Sequence, residues 1–369
     1  MFKTVRKDLH HVDWLAFGAA VALMIIGAVM VQSATFQTRF AFLAGRQVMF
    51  DLIALAVLGL AVFIPYEIWL EYSYILYGAV LVVLLLLPLV GHSVAGSRSW
   101  LVIGPISVQP SELAKFFGAL ACAGYIKGLE PRKIGRTQIA VMLGIVLVPM
   151  GLTFLQPDFG TATTFLPILA AVFYVSDVPL GKLLKWAALG FAGLLVLFAL
   201  GWFTFFKPYQ KERILTFLNP SLDPQGAGYQ VNQAKIAVGS GEFWGKGLHS
   251  GTQNRLNFLP APQTDFIFGV VAEETGFAGS LILLGLYTLL LLRLTGAMEL
   301  ARDREGRFLA VAAFAVLLYH VIINVGMVLG LLPTTGIPLP FLSYGGSSLL
   351  SMTLFVGLAI NVRTHRFSL

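Results

Sequence analysis

Charged residues are scarce in this chain, 25 Lys+Arg and 18 Asp+Glu in 369 residues, and a few stand where polar sequence turns apolar. Asp265 ends a polar, glycine-rich stretch and opens a hydrophobic run. A carboxylate there can act as a general base at a membrane surface. Its position alone favours a plainer role, capping the free N–H groups of the helix that follows. Glu112 and Lys115 follow Pro110 at the head of another apolar run. Proline at the first helical position and glutamate in the first turn suit a helix N-terminus. At i and i+3 the two side chains share a face and can pair. Lys115 lies inside the run, where a charge costs up to ~3 kcal/mol. It reads as half of a self-neutralising pair, as a snorkelling lysine, or as a buried cation for an anionic ligand.

Other polar residues have local explanations. Asp158 follows Gln156-Pro157 and precedes Phe159-Gly160, which turn and cap chemistry accounts for. Glu273 and Glu274 are adjacent inside an apolar run, so they face different ways and at least one must meet a polar cavity or a partner. His320 and Asn324, at i and i+4, predict a hydrogen-bonded helix contact. Tyr344-Gly345-Gly346-Ser347-Ser348, after Pro338 and Pro340, reads as an irregular turn or re-entrant stretch, tolerated only against protein or water. Gly245-Lys246-Gly247 lacks the Walker spacing, and no H-E-x-x-H or paired-cysteine metal motif occurs. The single cysteine, Cys122, cannot form an intramolecular disulfide.

The elements that must position these residues are membrane helices. Hydrophobic content is 57% and charged content 12%, against roughly 25% charged in average globular chains. Ten apolar runs approach or reach the ~20 residues of a spanning helix: 14–31, 48–64, 72–90, 113–126, 139–155, 161–175, 186–206, 266–292, 308–332 and 349–362. Three of them (113–126, 161–175, 349–362) are short enough to be tilted or re-entrant. Strand-type alternation is absent, which argues against a membrane β-barrel. The predicted fold is an all-α polytopic bundle of about ten helices, residues 1–369 forming one membrane domain, with a long loop at 207–264 between the seventh and eighth.

Basic residues orient it. With the N-terminus in the cytoplasm, the inner segments hold fifteen Lys and Arg, from Lys3, Arg6 and Lys7 to Arg363 and Arg366, and the short outer loops three: Arg39, Arg46 and Arg98. Both termini are then cytoplasmic and the 207–264 loop is outside. The net charge of +7 is thus mainly a topology signal, with no case for nucleic acid.

Several motifs together resemble one family. They are Arg98-Ser99-Trp100, Gln109-Pro110-Ser111-Glu112-Leu113-Ala114-Lys115, Gln156-Pro157-Asp158-Phe159-Gly160, Gln225-Gly226-Ala227-Gly228-Tyr229-Gln230, Thr264-Asp265-Phe266-Ile267-Phe268, Ala272-Glu273-Glu274 and Pro338-Leu339-Pro340-Phe341-Leu342-Ser343-Tyr344. The chain resembles the shape, elongation, division and sporulation (SEDS) proteins over nearly its whole length, and most of all their elongation-type branch. The resemblance implies a multi-pass protein of the bacterial cytoplasmic (inner) membrane that polymerises lipid II, a disaccharide-peptide on undecaprenyl pyrophosphate, into peptidoglycan. It implies a class B penicillin-binding protein as the cross-linking partner. Asp265 aligns with the family's catalytic aspartate.

That reaction needs a base for the acceptor hydroxyl and cations for the departing lipid pyrophosphate. Arg98, Lys115, Arg213 and Lys235 are the candidate cations, with Glu112 and Asp158 as further substrate-binding candidates. No cofactor is required by the sequence, and a divalent cation (Mg or Mn) is compatible with it. Two rivals stay open: a lipid II flippase, which needs alternating access and no base, and a scaffold that only holds the penicillin-binding protein.

Overall fold

The computed structural model describes residues 11–94, 97–104, 106–129, 134–176, 178, 181, 185, 227–256 and 258–367. Asp13 starts the first helix, α1 (Trp14–Thr35), by accepting from the backbone N–H of Ala16 at 3.2 Å. Then come α2 (Phe42–Phe63), the short α3 (Tyr66–Glu71) and α4 (Ser73–Val90). An antiparallel three-stranded sheet follows: β1 (His92–Val94), β2 (Ser97–Ile103) and β3 (Ile106–Val108). Pro110 opens α5 (Pro110–Lys127), with Glu112 in its first turn. Next are α6 (Arg136–Leu155), α7 (Phe159–Thr163), α8 (Leu166–Val175), α9 (Ala227–Ser240) and α10 (Thr252–Arg255). The chain closes with α11 (Ile267–Leu300), α12 (Arg304–Val328) and α13 (Gly346–Thr364).

Seven of these helices, α1, α2, α4, α6, α11, α12 and α13, are long and apolar enough to cross a membrane. Their outward side chains include Leu52 (64% exposed), Ile75 (69%) and Leu89 (80%), apolar surface that only lipid would cover. α5 is as long but carries Glu112, Lys115 and Lys127. The predicted span 161–175 is two helices, α7 and α8, because the chain turns at Thr164 and Pro167 restarts it. Nine of the ten predicted spans are therefore helical among the described residues. The tenth, 186–206, and the part of the long loop at 207–226 lie outside them. The sheet was not foreseen, since strands of three to seven residues in a hydrophobic chain leave too little alternation to read.

Two polar clamps mark the membrane's faces. At one, Asp13 accepts from Arg293 Nε at 2.9 Å and also from Arg363, joining α1, α11 and α13. At the other, the Ser33 hydroxyl meets the Glu274 carboxylate at 2.6 Å. Asp13 and Ser33 are 20 residues apart, Glu274 and Arg293 19. At about 1.5 Å per residue, each interval is about 30 Å, the hydrocarbon thickness of a bilayer. The described ends of the chain, near Asp13 and Arg363, share the first face.

α11 is broken at the second face. Gly276 sits at φ 67°, ψ −162°, a conformation open essentially to glycine alone. The 241–247 loop fills the break: Lys246 N–H donates to Glu273 O at 3.0 Å, and Phe277 N–H to Glu242 O at 2.9 Å. Both adjacent acids find polar partners there, as the sequence required of at least one. Glu273, fully buried, accepts from Lys246 Nζ at 2.7 Å, and Glu274 pairs with Ser33.

Candidate functional site

Beside this second face lies a cavity of about 520 Å³, within the usual range for small-molecule sites. Glu112, Asp158 and Asp265 line it from three separate elements, with β2 as one wall and the 333–338 stretch as another.

Asp265 is delivered by a braced segment just before α11. The N-cap position of α11 is held by Phe266, whose own side chain makes no cap bond. The Asp265 peptide carbonyl accepts from Asn324 Nδ2 at 2.9 Å, and the same amide donates to Ile337 O at 2.8 Å. Next to it, Ser343 Oγ donates to Thr264 O at 2.6 Å, and Tyr344 N–H to Gln263 O at 2.8 Å. α12 and the irregular 337–345 stretch thus grip the backbone on both sides, and the half-buried carboxylate faces the cavity. Of the predicted irregular stretch, only Tyr344 and Gly345 lie outside a helix, while Gly346, Ser347 and Ser348 open α13.

Asp158 does cap: its Oδ1 accepts from Thr161 N–H at 3.2 Å at the start of α7. Its Oδ2 accepts from Gln109 Nε2 at 2.8 Å, which ties α7 to the N-cap residue of α5. Gly160 then lets α7 touch the opposite wall, because a Cβ there would stand 2.1 Å from Thr335 O.

Glu112 and Lys115 form the self-neutralising pair. Lys115 Nζ lies 3.0 and 2.9 Å from the two Glu112 oxygens, with the side chains 0% and 3% exposed. The lysine also reaches His320 Nε2 at 3.2 Å, and His320 Nδ1 reaches Pro338 O at 3.2 Å. An ammonium only donates, so Nε2 accepts and the ring proton sits on Nδ1, donated to the carbonyl. Lys115 is therefore behind the cavity wall, and Glu112 is in it.

The other candidate cations are not brought there. Arg98 is exposed on β2, its guanidinium 3.3 Å from Pro88 O. Lys235 is exposed on α9 with its stem against Gly330. Both are exposed and lie outside the cavity's lining. Arg213 lies outside the described residues. Among the described residues, no Lys or Arg lines the cavity.

Four contributors escaped the sequence reading as site residues: Gln109, His320, Asn324 and the 333–338 stretch. His320 and Asn324 are fully buried and polar within a span, which by itself is a functional signal. Their i, i+4 spacing gave the helix contact but not what it holds.

Comparisons with known proteins agree along the whole chain. It is 36% identical over 365 residues to the peptidoglycan glycosyltransferase MrdB of Escherichia coli (strain K12), covering 97% of this chain and 95% of that protein. It is 36% identical over 365 residues to stage V sporulation protein E of Bacillus subtilis (strain 168), covering 96% and 97%. Among solved structures, a chain of a peptidoglycan synthase complex matches with a TM-score of 0.81 at 33% identity, covering 97% of this chain and 99% of that one. The rod shape determining protein RodA of Thermus thermophilus matches with a TM-score of 0.68 at 30% identity, covering 97% and 98%. The cell cycle protein family FtsW/RodA/SpoVE matches residues 10–368, and the chain belongs to that family, the SEDS proteins.

Proposed function

We propose that this chain is a peptidoglycan glycosyltransferase of the bacterial cytoplasmic membrane, polymerising lipid II during cell elongation with Asp265 as general base. The observation that carries this reading is the position of Asp265: its backbone braced by Asn324 and its carboxylate lining a cavity at the membrane boundary. The name of the relative MrdB supports the activity, and the elongation role is this proposal's own reading.

The chemistry follows from the bond made. The 4-hydroxyl of a terminal N-acetylglucosamine attacks the anomeric carbon of N-acetylmuramic acid, and its proton passes to the Asp265 carboxylate as the bond forms. The undecaprenyl pyrophosphate leaves as an anion from the opposite face, so the α-linked donor becomes a β-1,4 link. Because the leaving group departs charged, one base suffices where glycosidases use two carboxylates. Glu112, with its charge balanced by Lys115, and Asp158, held by Gln109, shape the sugar-binding walls. Of the four cations considered for the pyrophosphate, Lys115 can serve only if Glu112 releases it. Arg98 and Lys235 need substrate outside the described cavity. A divalent metal is not assigned a step. Glu112 is engaged by Lys115 and Asp158 by Gln109 and Thr161, so the described carboxylates do not form a ligand set.

A class B penicillin-binding protein is the proposed partner, in keeping with the match to a synthase complex that couples polymerization to crosslinking. Both termini are proposed to be cytoplasmic. The test is gel-resolved glycan from labelled lipid II with purified protein, with and without the partner, beside a leaflet-exchange assay of lipid II. Glycan from the purified protein supports the polymerase. Leaflet exchange without glycan under either condition would assign the cavity to a flippase.

A further inference from the structure

We propose that the N-terminus of α13 is the binding site for the pyrophosphate of the lipid-linked substrate and of the lipid pyrophosphate released from it. This assignment rests on the reading of the cavity as the lipid II site. Among the described residues no Lys or Arg lines that cavity, so other positive groups must meet the anion. Gly345, Ser347 and Ser348, at the start of α13, do line it.

A helix start carries unpaired N–H groups and the positive end of the helix dipole, and phosphates bind there for both reasons. In α13 the helical ladder begins with Leu349 N–H on Gly345 O at 3.0 Å. The N–H groups of Gly346, Ser347 and Ser348 lie ahead of it, and among the described residues they meet no acceptor. Gly345, at the N-cap position, has no side chain to offer them one.

The side chains add an independent signal. Ser348 is only 9% exposed, yet its hydroxyl has no partner among the described residues, where a buried hydroxyl ordinarily has one. What it faces is the cavity. Ser347, 6% exposed, accepts from Gln109 N–H at 2.9 Å, which leaves its own hydrogen to donate. Gly345 points the same way. A Cβ there would meet no atom within 4 Å, and its φ of 162° is extended backbone. Neither packing nor conformation asks for glycine at 345, whereas a phosphate lying against the backbone does. α5 also starts at the cavity, but Glu112 in its first turn already places a carboxylate there. The first turn of α13 has no acid. When the bond to the anomeric carbon breaks, its electron pair goes to the leaving phosphate oxygen, and these N–H and O–H donors meet the charge.

The experiment is native mass spectrometry of the full chain in detergent with undecaprenyl pyrophosphate or with undecaprenol, which has the same tail and no phosphate. The expected result is retention of the pyrophosphate over the alcohol, and its displacement by excess inorganic pyrophosphate. Ser348→Ala and Gly345→Ala should each weaken retention by roughly 10-fold or more, as for one hydrogen bond to a charged group. Ser348→Thr, which keeps the hydroxyl, should retain the lipid. Arg98→Gln, outside the cavity's lining, should leave retention unchanged. Loss in Arg98→Gln with none in Ser348→Ala would assign the phosphate to that cation and overturn the site. Equal retention of pyrophosphate and alcohol would overturn it as well. None of these measurements needs turnover, so a wild type that retains undecaprenyl pyrophosphate without making glycan would sustain the site while the polymerase reading failed.

Discussion

Asn324, on α12, donates its side-chain amide to the peptide carbonyl of Asp265 at 2.9 Å. The second hydrogen of the same amide holds Ile337 O at 2.8 Å. One buried side chain thereby fixes the distance between the carboxylate's backbone and the cavity wall. Asn324→Leu would leave two carbonyls without this donor, at about 1–3 kcal/mol each. We expect a lower thermal midpoint and a fall in glycan polymerisation larger than the stability loss alone would give. A variant that melts early but polymerises at the wild-type rate per folded molecule would show that this brace does not set the geometry of Asp265.

Lys115 and Glu112 are nearly inaccessible to solvent, at 0% and 3% exposure. Removing one partner of a buried pair leaves an uncompensated charge, at about 3–5 kcal/mol. Lys115→Met should therefore destabilise the chain by that order, while Glu112→Gln combined with Lys115→Met should recover most of the loss. Thermal melts of both variants in the same detergent decide it. An undisturbed melt for Lys115→Met alone would mean that Glu112 is not charged, or not confined to this pair.

Gly276 has no room for a side chain. A Cβ would lie 2.4 Å from Gly245 N and 2.6 Å from Phe243 O, in a backbone conformation at φ 67°. Gly276→Ala should cost about 1–3 kcal/mol of strain and loosen the 241–247 loop, seen as new protease cleavage within it. Gly285→Ala, where a Cβ meets nothing within 4 Å, should be neutral or gain up to about 1 kcal/mol of helix propensity. Equal behaviour of the two variants would mean that the loop does not depend on the break.

Spans, their number and their order were legible because twenty apolar residues in a row have few alternative structures. Side-chain destinations were not. Glu273 and Glu274 could be assigned partners in principle, but only the fold names them, since Ser33 lies 241 positions from Glu274 and Lys246 approaches through a break at Gly276. Asp265 is the sharper case. Helix-cap statistics describe the residue before an apolar run, and here the helix starts one residue later than they assume, with Phe266 at the N-cap position. His320 holding Lys115 is a contact 205 residues long in sequence, beyond any local pattern.

Topology is testable with the chain's own chemistry. Cys122 is buried, so a Ser250→Cys variant carries one accessible thiol, on the exposed loop beside the Ser33 and Glu274 clamp. In intact spheroplasts an impermeant maleimide should label it from outside. Labelling only after the membrane is opened would invert the bundle and put the carboxylate cavity in the cytoplasm.

Asp265→Asn separates catalysis from architecture. The substitution keeps the shape of the side chain and removes its negative charge. Asn caps a helix about as well as Asp, and the Asn324 bond goes to the backbone carbonyl, which the variant retains. The fold and the thermal midpoint should therefore stay close to wild type. A neutral amide cannot take the proton of the attacking hydroxyl, and loss of a positioned base typically lowers a rate by ~10²–10⁴-fold. Glycan formation from labelled lipid II should fall at least that far, with or without the penicillin-binding protein. Asp265→Glu, which restores the charge about one methylene further into the cavity, should recover only part of the activity. If Asn supports near-normal polymerisation, the base is another of the cavity's carboxylates. Asp158 would be tested first, because Glu112 is already neutralised by Lys115.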